Sequence, residues 1–149
     1  VGFSQETGQM DVLQLLKAEF RSRKSDLADL LKPAMEGPIR AAILSRLDVH
    51  LAWESEFLLP ELSVIATHGD ALLEKYQQGL KRLQSICHDK SQDGAELLEA
   101  FERHTELVEE KILPFMRQKI PTVEREELYH VFVDAKQELL STRSVEFAI

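Results

Sequence analysis

The stretch His50-Leu51-Ala52-Trp53-Glu54-Ser55-Glu56-Phe57-Leu58-Leu59-Pro60 is answered further along by His104-Thr105-Glu106-Leu107-Val108-Glu109-Glu110-Lys111-Ile112-Leu113-Pro114. The two share a histidine, a glutamate six residues on, a leucine nine on and a proline ten on. Each histidine lies in a run with helical apolar spacing. On the first run Ile43, Leu47, His50, Glu54 and Phe57 fall within roughly an 80° arc at 100° per residue. On the second, Leu97, Phe101, His104, Val108 and Phe115 share a face. A histidine and a carboxylate on a buried stripe each need a partner, because an uncompensated buried carboxylate costs several kcal/mol. In a bundle of helices the usual functional partner is a metal ion held between facing side chains.

Working outward, four long amphipathic patterns emerge. The first starts at the N-cap residue Asp11 and runs to about Leu31, lined by Leu13, Leu16, Phe20, Leu27 and Leu30 or Leu31. Lys32-Pro33 and Gly37-Pro38 punctuate the turn into the second, which carries Ile39 and the His50 stripe, and Pro60 is expected to kink or end it. Thr67 with Asp70 gives a capping signal for the third, lined by Leu72, Tyr76, Leu80, Leu83 and Ile86. Asp89 to Gly94 is a polar loop, and the fourth pattern begins near Ala95. A fifth segment, Val123 to Leu140, repeats the helical period through Leu128, Phe132 and Ala135. Short connections between long helices imply antiparallel neighbours. The expected fold is therefore all-α: an antiparallel up-down four-helix bundle over 11–140, an additional C-terminal helix across its end or side, and flexible ends at 1–10 and 141–149.

With 149 residues and 44% hydrophobic content, the chain has the length of one domain with a real core. A net charge of −8 with scattered cations argues against nucleic acid as the main partner. The single cysteine, Cys87, excludes an internal disulfide framework and fits a reducing, cytoplasmic setting. No apolar run reaches membrane-spanning length, and Val1 to Gln9 lacks the pattern of a signal peptide. No phosphate-binding glycine loop and no serine or cysteine triad is present, so a catalytic role is not expected.

The paired motifs resemble the hemerythrin-like, HHE cation-binding family over roughly 11–118. Leu16-Lys17-Ala18-Glu19-Phe20 stands for its first helical element, His50 to Pro60 for the second and His104 to Pro114 for the fourth. The resemblance implies an antiparallel four-helix bundle holding one or two non-haem iron ions, with carboxylates as bridges. It implies binding of dioxygen or nitric oxide, or iron and redox sensing or storage. The ligands it implies are His50, Glu54 and His104, joined by Glu109 and His68. Phe20 stands where the family has a histidine, and Val108 where a glutamate four residues after His104 is usual. Glu109 lies about 140° from His104 on a regular helix and reaches inward only through distortion. In the third helix either His68 or Tyr76 takes the family's histidine position.

Two functional expectations follow. One is a binding, sensing or storage domain for iron or a related divalent metal. The other is a metal-free bundle of the same ancestry, acting as a regulatory or protein-interaction module with a protein partner or a second copy of itself. His–Glu spacing of three, which a ferritin-like oxidase uses, occurs on no core face. Trp53 is expected to face the first helix or an oligomer partner, and Cys87-His88 to be an exposed pair.

Overall fold

A computed structural model describes residues 11–32, 37–67, 70–89 and 93–143. Among these the chain is helical, with no strand. The expected flexible start at 1–10, the end of the tail at 144–149, and His68 lie outside the described residues.

Helix α1 is Val12–Asp29, and Asp11 caps it by accepting from the Leu13 amide at 2.8 Å. The second rod is α2 (Gly37–Trp53), a π-helical turn (Glu54–Leu58) and α3 (Leu59–Ile65). The third rod is α4 (Ala71–Cys87). Its cap is Asp70 itself, accepting from Leu72 at 2.8 Å, rather than Thr67. The fourth repeats the second: α5 (Gly94–Leu107), a π-helical turn (Val108–Ile112) and α6 (Leu113–Lys119), with Asp93 as its cap. The last is α7 (Thr122–Arg143), which extends past Leu140.

The two π turns explain what the prolines do. Proline has no amide hydrogen, and its ring crowds the carbonyl four residues back. In each motif the wider turn begins four residues after the histidine and ends two before the proline. Leu59 bonds to the carbonyl of Glu54, and Leu113 to that of Val108, five residues back in both cases. Neither rod ends there. The extra residue moves the buried face by one position. Leu58 and Met116 are buried, while Phe57 and Phe115, expected on the stripe from a regular helix, are only half-buried.

Side-chain pairs fix the directions. Asp26 meets Arg46 while Glu19 faces His50, so α1 and α2 run oppositely. Asp48 meets His88 and Glu54 meets Tyr76, which sets α4 opposite to α2. Arg82 approaches Glu96, and Gly79 abuts His104, so α5 runs against α4. Lys24–Glu102 and Arg21–Glu109 set the fourth rod against α1. α7 packs along both α1 and α2. Arg125 holds its start, donating to Asp11 at 2.9 Å and to the Ile120 carbonyl at 2.8 Å.

Trp53 is fully buried and turns to α7, not to α1 or an outer surface. Its indole donates to the Phe132 carbonyl at 2.9 Å, and the two rings meet edge-on at 5.5 Å. Cys87 is buried rather than exposed, and His88 lies 2.9 Å from the buried carboxylate of Asp48, which also faces Arg143. Ile39, expected on the stripe, is exposed. No helix of the described residues is long and apolar enough to cross a membrane.

Trp53→Phe removes a buried donor and part of a fully buried ring. It is expected to cost about 2–4 kcal/mol in urea unfolding, with helical content unchanged in the folded state.

Candidate functional site

Glu54 opens the first π turn and is completely buried. Its Oε1 accepts from the Tyr76 hydroxyl at 2.8 Å and from His104 Nε2 at 2.8 Å. Its Oε2 stands 2.8 Å from His50 Nε2. Three rods thus deliver four polar side chains to one interior point, and three of the five residues expected as ligands are among them.

The surroundings are aromatic. Phe20 meets the His50 ring edge-on at 4.6 Å and lies 5.9 Å from the His104 ring. Phe101 is 5.5 Å from His50 and stacks with Phe20. Tyr76 lies alongside His104, with ring centroids 5.2 Å apart. Of the two residues that competed for the third-helix position, Tyr76 is therefore at the centre, while His68 falls outside the described residues.

The second motif explains the asymmetry. Val108 stands in its π turn where Glu54 stands in the first, and it is fully buried. The local distortion that Glu109 needs is present, yet the inward position goes to Val108. Glu109 is about a third exposed, lies 3.8 Å from Arg21, and lines a surface groove with Lys17 and Arg117. One carboxylate serves both imidazoles.

A second buried acid, Glu19, extends the cluster, and the sequence reading passed over it as part of the first motif. Its Oε1 is 3.7 Å from His50 Nδ1 and 3.5 Å from Arg23, and its Oε2 accepts from Lys136 of α7. The available signal was Arg23 four residues after Glu19. Lys136 could not be foreseen without knowing where α7 lies.

Burial alone would push Glu54 up, but the His104 and His50 rings outweigh it and hold the carboxyl at about 2. Burial likewise opposes ionisation of Glu19, and His50, Lys136 and Arg23 bring it to about 2. Burial pulls His50 down, and the two facing carboxylates raise it above its ordinary value. Burial and the adjacent Glu54 carboxylate push Tyr76 well above the phenol range, so it remains a donor. With Glu54 ionised, His104 Nε2 carries the hydrogen it donates, and Nδ1 is left without a partner.

Does this set fit iron? His50 Nε2 and Glu54 Oε2 approach closely while neither makes a hydrogen bond, as neighbouring ligands of one ion would. Everything else points the other way. Glu54 Oε1 is occupied by two donors, Phe20 and Val108 are buried where the resemblance would expect ligands, and Glu109 faces outward. Two octahedral irons need roughly ten to twelve donors. Among the described residues no group of three His, Cys, Asp or Glu side chains is arranged to hold a metal ion. The residues present do not fit a two-iron centre.

Compared with known proteins, the chain matches no family model, no curated protein and no solved structure.

Two outcomes follow from the centre. Tyr76→Phe deletes a donor to a buried carboxylate and is expected to cost about 1.5–3 kcal/mol of unfolding free energy, read by urea denaturation. The pH profile has a definite shape. Glu54 and Glu19, lowered from 4.5 to about 2, stabilise fully above 4.5 and lose that contribution as pH falls through about 2. His50, raised from 6.5, stabilises fully below 6.5 and loses its contribution as pH rises through the folded value. Stability is therefore highest between 4.5 and 6.5 and falls on the alkaline side, by at most about 1.4 kcal/mol per pH unit for one proton. An unfolding free energy flat from roughly pH 5 to 9 would refute this assignment.

Proposed function

We propose that this chain is a hemerythrin-like up-down four-helix bundle, with α7 laid along it, whose metal centre has become a metal-free hydrogen-bonded hub. It acts as a regulatory or protein-interaction module, without a catalytic role. The opposed directions of neighbouring rods and the matched π turns after His50 and His104 support the bundle and its internal duplication. The observation that carries the functional reading is the state of Glu54: Tyr76, His104 and His50 all face it at 2.8 Å, so its charge is compensated from within the protein. An oxygen carrier or iron store needs open coordination positions. Here Phe20 and Phe101 pack against the imidazoles instead.

The second reading is a single divalent ion at His50 and Glu54, favoured by the unbonded approach of Nε2 and Oε2. Expression in iron-replete medium followed by elemental analysis separates the two, together with thermal unfolding with and without chelator. The hub predicts less than about 0.1 metal per chain and an unchanged melting temperature; near-stoichiometric metal, or a melting temperature several degrees lower with chelator, establishes the second reading.

A further inference from the structure

α7 is fastened differently from the other helices. Of its 22 residues only Phe132, Ala135 and Leu139 are buried, against ten of 17 in α2. A groove of about 290 Å³, lined in part by Phe57, Ala135 and Leu139, runs beside it, so its apolar edge does not fill the face it lies on. What holds it is a row of cations. Arg125 reaches Asp11 at 2.9 Å, Lys136 donates to Glu19, and Arg143 stands 3.3 Å from Asp48. At 100° per residue the three cations fall within about 20° of one another, along one border of the stripe that carries Phe132 and Leu139. Two of the acids lie under the helix, Glu19 at 5% and Asp48 at 3% exposure. Trp53 adds a fourth tie through the Phe132 carbonyl. The groups that meet at Glu54, by contrast, come from α2, α4 and α5, and none from α7. Only Ile120 and Pro121 separate α7 from α6, a short link about which the helix can swing.

We propose that α7 is a releasable strap seated in a docking groove for a partner protein, and that the partner presents a basic amphipathic helix which takes its place. The pattern such a helix needs is the one α7 carries: a narrow apolar stripe bordered by cations spaced 11 and 7 residues apart. Once α7 leaves, Asp11, Glu19 and Asp48 line a face with Trp53 on its floor. Three carboxylates beside an apolar floor select a cationic helix. Acids set this deep are costly without cations, so an emptied groove favours refilling. Glu19 also stands 3.7 Å from His50, which puts the groove one side chain from the hub. This deepens the protein-interaction reading by naming the partner's chemistry, and it rests on that reading; metal content and strap opening are separate measurements, so either can fail alone.

Two measurements on the full chain test it. Hydrogen exchange read by mass spectrometry should show α7 opening as its own unit, ahead of α1 to α6, because few apolar contacts protect it. Arg125→Gln and Arg143→Gln alter the two ends of the strap and leave Glu19 its lysine. Each should speed exchange in α7 about tenfold, with α4 and α5 unchanged. The second measurement is binding of a fluorescent peptide of residues 120–143, read by anisotropy, with light scattering to give the oligomeric state. The tethered α7 competes at an effective concentration of about millimolar, so the unaltered chain should bind the peptide weakly and each variant about tenfold more tightly. The same peptide carrying Arg125→Gln, Lys136→Gln and Arg143→Gln should not bind. If the variants do not fold, the exchange pattern of the unaltered chain decides. Exchange of α7 in step with the whole bundle, or equal binding of the glutamine-substituted peptide, overturns the proposal. So does assembly of the variants into dimers that exclude the peptide, which would make a second copy the occupant.

Discussion

The contact on which the interior depends is a carboxylate held in oil by two imidazoles and a phenol. Leaving Glu54 ionised at zero exposure without partners would cost several kcal/mol. The chain meets that cost by bringing α2, α4 and α5 to one point, each contributing a group within 2.8 Å. Charge-assisted bonds of this kind are directional. A one-residue slip of α4 or α5 would take its donor away, so the hub sets register as well as charge. The greasy contacts around it, Phe20 and Phe101 among them, could tolerate such a slip far better.

Much of this was written in the paired His…Pro motifs. Their repetition announced two rods of the same kind, and helical periodicity placed His50, Glu54 and His104 inward. What the period could not convey was the π turn. A 3.6-residue repeat carried past Glu54 selects Phe57, and carried past Val108 selects Phe115; the inserted residue gives those interior places to Leu58 and Met116. Proline at a fixed distance from the histidine was the visible trace of that turn. Reading it as a kink captured the cause and missed the geometry. Trp53, Glu19 and Lys136 were illegible for a different reason: their partners lie on α7 or on α1, and no local pattern says which groove a fifth helix occupies.

The two motifs diverge at one position. Glu54 and Val108 are equivalents, the first residues of matching π turns, and both are buried. A second acid at Val108 would be another buried carboxylate, tolerable only with a cation or donors beside it. Valine there needs neither. Phe20 fits the same logic, since an aromatic edge against His50 asks for no ligand. With Val108 and Phe20 in those places the centre is electrostatically closed around one acid, and the two residues are intelligible together.

Closure is nevertheless incomplete on one side. A self-satisfied hub has no need of a glycine in the middle of α4, and any larger residue there would press on His104. The ring is therefore held on one side by Glu54 and closed on the other by the α4 backbone at Gly79, with Nδ1 buried and unpartnered.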